Sequence, residues 1–261
     1  MKPKVVILCG GKGMRLREET ENKPKPLLSV GKYPLLWHIM THYAHYGIYD
    51  FILCLGYKGD LIKEYFLNYQ NRWDLQLNLK EGTKTVLPNK DRIENWNITF
   101  AHTGPETNTG GRVKRIEQYI DGDYFFLTYG DGLSNINRGK LEAFFLKKGK
   151  TGVITGIRPP SRFGQVTADS ENIVTGFKEK PLRQDYINGG FCVFSRKLFG
   201  FLEENCVLEQ EVFDRLTNER QLALYKHEGF WKCMDTYKDY LELNKMWEHG
   251  DSPWMVRQNA V

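Results

Sequence analysis

The stretch Val5–Leu16, VVILCGGKGMRL, places a short apolar run directly before a glycine-rich segment. Four branched aliphatic residues in succession, Val5–Leu8, predict a buried β-strand. Gly10, Gly11 and Gly13 follow it, and residues without a side chain let the backbone turn tightly and approach a ligand closely. The stretch therefore predicts a strand that ends in a phosphate-holding loop, although a glycine-rich turn without a ligand would have the same sequence.

The spacing of these glycines excludes the two most familiar phosphate loops. Neither G-x-x-x-x-G-K-[ST] nor G-x-G-x-x-G is present. Cations nevertheless follow closely. Arg15 can hold phosphate oxygens in a bidentate manner, and Lys25 lies between Pro24 and Pro26, which restrict its backbone. Two cations placed in this way favour a reaction in which pyrophosphate leaves.

Strand-like and helix-like segments alternate through the first half of the chain. Such alternation indicates βαβ units around a mostly parallel sheet flanked by helices, a Rossmann-like α/β fold. Ligands of such sheets bind at the carboxyl ends of the strands. The predicted strands are Val5–Leu8, Asp50–Leu55, Ile98–His102 and Tyr124–Thr128, and the predicted helices are Leu35–Tyr46, Leu61–Leu67 and Val113–Tyr119.

After residue 150 the chain changes to shorter β-rich segments. No linker, repeat or low-complexity segment separates the halves. We therefore expect a single domain over 1–261, with a nucleotide-binding part over about 1–150 and a small β-rich substrate lobe within about 151–261. The predicted strands of the second half are Thr151–Ile157, Gln165–Thr167, Ile173–Lys178 and Gly190–Ser195, and the predicted helices lie near Val212–Leu216 and Tyr237–Trp247.

The composition is typical of a soluble globular enzyme. The 261 residues are 41% hydrophobic and 26% charged. A net charge of +5 without a block of Lys and Arg favours small anionic ligands over nucleic acid. Five cysteines without a C-x-x-C pair predict buried free thiols and a cytoplasmic protein. No apolar run reaches the ~18 residues of a membrane span, so we expect no membrane partner.

The glycine-rich stretch and Lys23–Pro26 together resemble a known signature. That signature, L-[AC]-G-G-x-G-[ST]-R-L followed by K-P-K-P, is typical of the sugar-1-phosphate nucleotidylyltransferases. Met14 stands where the signature has Ser or Thr, which removes a hydroxyl from the loop. Further segments resemble the members that use CTP and glucose 1-phosphate: Leu36–Met40, Asp50–Cys54, Gly56–Gly59, Ile62–Phe66, Thr103–Gly104, Thr109–Arg115, Thr128–Gly132, Arg162–Gly164, Glu179–Pro181, Ile187–Phe191, Gly229–Trp231 and Met234–Thr236.

The resemblance implies a Mg²⁺-dependent reaction of CTP with glucose 1-phosphate that yields CDP-glucose and diphosphate, within CDP-sugar and surface polysaccharide biosynthesis. It places Arg15 on the leaving pyrophosphate, Lys25 on the α-phosphoryl group, and Mg²⁺ on Asp131 and Asp235. It also implies a homo-oligomer. Another sugar 1-phosphate or phosphorylated acceptor, or UTP or dTTP as the nucleotide, remains an alternative.

The same resemblance assigns the binding residues. Thr109 has a second interpretation, as the N-cap of the following helix, and Asp131 in Gly-Asp-Gly has one as a simple turn. The catalytic set is Arg15, Lys25 and Asp131, and Asp131 and Asp235 are the metal ligands. The expected nucleotide contacts are Leu8, Cys9, Gly10, Gly11, Gly13, Met14, Arg15, Lys25, Thr109, Gly110, Arg112, Gly130 and Asp131.

The expected sugar-phosphate contacts come from the second half of the chain. Lys180 would otherwise be a solvated surface charge, and Glu209 the start of a solvated helix. Leu208 stands where the related enzymes carry Trp, a change that could alter the pocket. The segment between Trp73 and Trp96 is expected to be an interface or a substrate-covering loop. The full set of sugar-phosphate contacts is Lys180, Asn188, Gly189, Glu209 and Asp235.

Two further interpretations of the sequence are a histidine metal site and a binding protein without catalytic activity. His38, His42 and His45 share roughly one helical face, but without carboxylate or cysteine neighbours they are expected in core or surface positions rather than at a metal. A binding protein that keeps the fold without the chemistry is expected to have lost the charged site residues. That interpretation is disfavoured because all of them are present: Arg15, Lys25, Asp131, Lys180 and Asp235.

Overall fold

A computed structural model describes residues 2–13, 16, 20–69, 74–87, 94–161 and 163–255. Its strands, β1 to β15 in chain order, are Val5–Leu8, Ser29–Val30, Tyr33–Pro34, Asp50–Leu55, Asp74–Asn78, Thr83–Leu87, Asn97–His102, Tyr124–Tyr129, Gly132–Ser134, Gly152–Ile157, Gln165–Ala168, Val174–Lys178, Ile187–Ser195, Leu222–Lys226 and Trp231–Cys233. Its α-helices, α1 to α6, are Leu35–His45, Gly59–Leu67, Thr109–Arg115, Arg138–Lys148, Phe213–Asn218 and Tyr237–Glu248.

The central sheet has seven strands in the order β14-β10-β13-β8-β1-β4-β7. Its β1 is parallel to both neighbours, β4 and β8, while β13 runs antiparallel to β8 and β10. The predicted mixed, mostly parallel sheet is therefore confirmed. Leu8 pairs with Cys54 on one side and with Tyr129 on the other. The loops that follow these three strands consequently leave the sheet at the same edge.

Both faces of the sheet are covered, as the continuous apolar run in β1 predicts. Val5 and Ile7 pack with residues of α1, α4 and α6, whereas Val6 and Leu8 pack with residues of α3 and α5. All four side chains are buried. The first strand is thus held from both sides, which gives the glycine loop at its end a rigid support.

The structure corrects one predicted helix and adds another. The helix predicted over Val113–Tyr119 begins at Thr109 and ends at Arg115, and a 3₁₀ turn, Glu117–Tyr119, follows it. The helix α4 was not among the predicted elements. Its boundaries carry recognisable signals, because the Asn137 side chain accepts a hydrogen bond from the Lys140 amide and Gly149 ends the helix at φ +58°.

The central sheet contains strands from both sides of residue 150, so the two halves share one core. In the second half, β11 and β12 form a separate two-stranded hairpin, and most of its residues are exposed. None of the helices in the described parts of the chain has the length and apolarity needed to cross a membrane.

The five cysteines are free thiols, and all of them lie within the described residues. Cys9, Cys54, Cys192 and Cys206 are buried, as predicted. The prediction is wrong for Cys233, whose side chain is only half-buried. Cys233 is the last residue of β15, and its side chain lines a cavity.

The histidine prediction is confirmed for His38 and His42, which are buried in the core. The Nε2 atom of His38 donates a hydrogen bond to the Val30 carbonyl at 2.9 Å, and its Nδ1 atom accepts one from the Trp254 indole at 3.3 Å. The imidazole must be neutral to accept that bond. Burial lowers the pKa of His38 to about 4.

We expect this histidine to make the fold sensitive to acid. Because its folded pKa lies below its unfolded value, the stability it contributes is complete above about pH 6.5 and is lost as the pH falls toward 4. Between pH 7.5 and pH 5 this loss amounts to about 2 kcal/mol. Urea unfolding of the wild type and of His38→Gln at both pH values measures it.

The loss should be about 2 kcal/mol smaller in His38→Gln than in the wild type. His45→Gln, at an exposed position on the same helix, is the matched control and should show the wild-type loss. Equal losses in the wild type and in His38→Gln would contradict the expectation.

Candidate active site

The glycine loop after β1 lies at the mouth of a cavity of 310 Å³. Gly13 has φ +62°, a conformation that favours glycine. Gly10 has a different constraint, because a Cβ atom there would lie 2.2 Å from the Arg112 guanidinium carbon. Gly11 faces open space. The three glycines therefore serve different purposes: a left-handed turn, a close approach and free access for a ligand.

The side chain of Arg112 anchors the glycine loop to neighbouring segments of the backbone. Its buried guanidinium donates to the Thr103 hydroxyl at 2.8 Å, to the Gly104 carbonyl at 2.7 Å and to the carbonyls of Leu55 and Gly10. Burial lowers its pKa from the usual arginine value. Arg112 lines the cavity, as its predicted nucleotide role requires, but its hydrogen bonds go to Leu55 at the end of β4, to Thr103 and Gly104 after β7, and to Gly10 in the loop.

We expect Gly10→Ala to destabilise the fold by about 1–3 kcal/mol, because the added methyl group must displace the Arg112 guanidinium from its carbonyl partners. Gly11→Ala is the matched control, since a Cβ atom at Gly11 meets nothing within 4 Å. Urea unfolding measures both. A Gly10→Ala protein as stable as Gly11→Ala would contradict the role given to Arg112.

Lys25 projects from a short 3₁₀ turn, Lys25–Leu27, that has Pro24 at its N-cap. Its ammonium nitrogen lies 3.1 Å from Asp131 Oδ2 and 2.9 Å from Asp235 Oδ1. Burial by itself lowers the pKa of Lys25, but the charges of the two carboxylates outweigh it and the pKa is raised. Lys25 is therefore a fixed cation that joins two carboxylates from distant parts of the chain.

The two carboxylates are brought together by a small sheet that the sequence analysis missed. Strands β9 and β15 pair antiparallel, with Cys233 opposite Gly132. The Met234 amide also donates to the Asp131 carbonyl at 2.8 Å. These backbone bonds place Asp131, at the turn before β9, beside Asp235, which follows β15.

A divalent cation fits this arrangement. Ligand atoms of Asp131, Cys233 and Asp235 lie within 4.8 Å of one another. Two partly buried carboxylates that line the larger of two cavities offer oxygen ligands that Mg²⁺ accepts while it keeps further positions for phosphate oxygens. Burial raises the pKa of the Cys233 thiol, and the charges of Asp131 and Asp235 raise it further.

A second cavity, of 1010 Å³, adjoins the first. Tyr129, Asp131 and Glu209 line both cavities. Lys25 reaches this shared wall from the smaller cavity, and Asp235 reaches it from the larger one. A reaction between a ligand in one cavity and a ligand in the other would therefore take place next to Asp131.

The structure brings the predicted sugar-phosphate residues together around the larger cavity. Lys180 is exposed, has φ +43° and lies 3.4 Å from a Glu179 carboxylate oxygen. Leu208 is fully buried in the core and is not among the described residues that line either cavity, so its side chain does not form part of the cavity walls. The predicted residues that line the larger cavity are Lys180, Asn188, Gly189, Glu209 and Asp235.

Most of the predicted nucleotide residues line the smaller cavity. Gly110 does not lie among its described lining residues, because it packs against Cys206, which a Cβ atom would meet at 2.5 Å. Met14 and Arg15 lie outside the described residues, and so does part of the segment between Trp73 and Trp96. The lining residues from the predicted set are Leu8, Cys9, Gly10, Gly11, Gly13, Lys25, Thr109, Arg112, Gly130 and Asp131.

Glu209 is the centre of a hydrogen-bonded group at the shared wall. Its carboxylate accepts a bond from the Thr109 hydroxyl at 2.6 Å and another from the Tyr129 hydroxyl. Burial and the charge of Glu209 raise the pKa of Tyr129 far above its usual value. Tyr129 was not predicted as a site residue. Its signal was its position next to Gly130 at the end of a buried strand.

The N-cap interpretation of Thr109 is wrong. Asn108 occupies the N-cap of α3, and no side chain caps the helix. The Thr109 hydroxyl instead accepts the Leu208 amide at 2.9 Å and donates to Glu209. It thus ties the start of the helix to the Glu209 segment across the cavity.

Comparison with known proteins gives the family of this chain. The nucleotidyl transferase family matches residues 4–250, which is most of the sequence. The chain belongs to the nucleotidyl transferase family. Its glycine loop, Lys25 and the two cavities are therefore features of a nucleotidyl transferase.

Two relatives of this nucleotidyl transferase match over nearly their whole length. The probable glucose-1-phosphate cytidylyltransferase of Bacillus subtilis is 45% identical over 256 residues, which cover 97% of this chain and 99% of the relative. The glucose-1-phosphate cytidylyltransferase of Salmonella typhi is 41% identical over 255 residues, which cover 96% and 98%. The crystal structure of HddC from Yersinia pseudotuberculosis matches the fold with a TM-score of 0.68 and 21% identity, over 94% of this chain and 100% of that one.

Proposed function

We propose that this nucleotidyl transferase converts CTP and α-D-glucose 1-phosphate into CDP-glucose and diphosphate. The observation that carries the proposal is the pair of cavities that meet at Asp131, with Lys25 on one side and Asp235 on the other. The names of the relatives at 45% and 41% identity support the choice of substrates. The smaller cavity would hold the nucleotide, and the larger one the sugar phosphate.

The reaction needs no covalent enzyme intermediate. An oxygen of the sugar phosphate attacks the α-phosphorus of CTP, and the bond from that phosphorus to the bridging oxygen of the pyrophosphate breaks in line with the attack. The leaving diphosphate keeps the electron pair. Both reactants are anions, so charge neutralisation and positioning supply most of the catalysis.

Lys25 is the residue best placed to supply the positive charge. Its ammonium lies at the wall between the cavities and is held by two carboxylates. From there it can hydrogen-bond an α-phosphoryl oxygen as negative charge grows on it. The proposed contacts of Arg15 with the leaving diphosphate, and of Lys180 and Asn188 with the sugar phosphate, complete the set.

Asp131 and Asp235 would hold the divalent cation, and we propose Mg²⁺. When bound, it supplies positive charge to the phosphate oxygens of both substrates. The small β9–β15 sheet keeps the two carboxylates at a fixed separation. The Glu209 carboxylate accepts hydrogen bonds from the Tyr129 and Thr109 hydroxyls, and these two bonds stabilise the shared wall.

The experiment that tests the proposal is a screen for pyrophosphate release. The purified chain is assayed with CTP, UTP, dTTP, GTP and ATP, each with glucose 1-phosphate and with other sugar 1-phosphates, and the product is identified by mass spectrometry. CTP with glucose 1-phosphate should give the highest kcat/KM. A higher value for UTP, dTTP or another sugar phosphate would assign the reaction to that pair.

The remaining proposals concern organisation. We propose that residues 1–150 mainly bind the nucleotide, that residues 151–261 mainly bind the sugar phosphate, and that the enzyme acts in the cytoplasm.

We also propose a homo-oligomer. The β11–β12 region supports the oligomer because Phe163, Phe177 and Leu182 are 78%, 63% and 64% exposed. Light scattering after size exclusion should give a multiple of the chain mass, and a monomer would contradict it.

A further inference from the structure

Cys233 stands apart from the other cysteines of the chain. It is the one cysteine of five whose side chain is partly exposed, and it lines the larger cavity. Asp131 and Asp235 line the same cavity. The thiol therefore lies on the wall where the proposed reaction takes place.

The geometry of β15 places the Cys233 thiol close to the carboxylates of Asp131 and Asp235. Side chains alternate along an extended strand, so Cys233 and Asp235 share one face while Met234, which is fully buried, faces the core. Across the sheet, Cys233 is opposite Gly132, which has no side chain to block it. One ligand atom each from Asp131, Cys233 and Asp235 consequently lies within 4.8 Å of the others.

We propose that Cys233 is a third cation ligand, which makes this a mixed oxygen and sulfur site that binds borderline-soft divalent cations such as Zn²⁺ and Co²⁺ more tightly than Mg²⁺. Carboxylate oxygens suit Mg²⁺, whereas sulfur selects softer ions. The inference rests on the proposed function only in placing a cation between Asp131 and Asp235. The sulfur ligand itself is inferred from the position of Cys233 beside Asp131 and Asp235 in this chain.

Binding of the cation by Cys233 requires the loss of the thiol proton. When the cation binds, the S–H bond of Cys233 breaks, a sulfur–metal bond forms and the proton passes to solvent. Two carboxylates and one thiolate are then balanced by a divalent cation together with Lys25, which contacts both carboxylates. Zn²⁺ bound in this way would compete with Mg²⁺ for the site.

The test is a Co²⁺ titration of the full chain, followed by absorption spectroscopy without substrates. The wild type should develop a near-ultraviolet band of sulfur-to-cobalt charge transfer, and Cys233→Ser should lack it. Loss of the sulfur should weaken Co²⁺ binding by about tenfold or more while Mg²⁺ binding, measured by competition, changes little. Cys206→Ser, at a buried cysteine away from the cavity, is the matched control and should keep the band.

A wild type without the band, or a band that persists in Cys233→Ser, would overturn the proposal. Asp235→Asn removes an oxygen ligand and keeps the thiol, so it should show the band at higher Co²⁺ concentration, which guards against a Cys233→Ser protein that fails to fold. Circular dichroism checks the fold of each variant. Because no substrate is present, absence of the band leaves the proposed reaction standing, and failure to form CDP-glucose leaves the band unaffected.

Discussion

Lys25→Ala is expected to lower kcat by about a hundredfold or more, because a preorganised charge contact in a transition state contributes ~3 kcal/mol. The structure gives the physical reason. Lys25 is held between Asp131, which lines both cavities, and Asp235, which lines the larger one, so its charge lies where the two substrates are proposed to meet. Steady-state kinetics with CTP and glucose 1-phosphate measures the loss.

The matched control is Lys23→Ala, two residues earlier in the same Lys-Pro-Lys-Pro segment, where the side chain is exposed. It should keep kcat near the wild-type value. Thermal unfolding should show that Lys25→Ala still folds, since its turn is built by the flanking prolines. Equal kcat values for Lys25→Ala and the wild type would remove Lys25 from the catalytic machinery.

Asp131→Asn is expected to have an effect of similar size on kcat and an additional effect on metal dependence. Asp131 lines both cavities and pairs with Lys25, so the neutral amide weakens cation binding and releases one anchor of the lysine. The Mg²⁺ concentration needed for half-maximal activity should rise by about tenfold or more. Rates measured over a range of Mg²⁺ concentrations give this value directly.

Asp251→Asn, at an exposed position far along the chain, controls for the loss of one negative charge and should leave the Mg²⁺ requirement unchanged. The turn at Asp131 should survive the substitution, because the Met234 amide bonds to the backbone carbonyl of Asp131 and not to its side chain. An unaltered metal requirement in Asp131→Asn would exclude this residue as a metal ligand.

The parts of the fold that follow from local patterns were predictable from the sequence. Val5–Leu8 and Asp50–Leu55 were predicted at the bounds the structure shows, because each is a short, mostly apolar run that ends one or two residues before a glycine. Their parallel pairing placed the loops after them at one edge of the sheet. The predicted location of the site at that edge follows from this topology.

Long-range pairing explains what the sequence analysis missed. The small sheet of Gly132–Ser134 and Trp231–Cys233 joins strands of three residues that are too short to show a period, and their partners lie about a hundred positions apart. The half-buried thiol of Cys233 follows from that pairing. The bonds of Arg112 to three separate segments, at Leu55, at Thr103–Gly104 and at Gly10, likewise depend on where distant loops meet. The contact of Tyr129 with Glu209 does so too.

In the proposed mechanism the two substrates react directly with each other where the two cavities meet. Phosphorus NMR of the enzyme with CTP and Mg²⁺, before and after addition of glucose 1-phosphate, tests it in one sample. The proposed mechanism predicts no diphosphate from CTP alone, and equal amounts of CDP-glucose and diphosphate once the sugar phosphate is present. Diphosphate released from CTP alone, or no CDP-glucose after the addition, would contradict it.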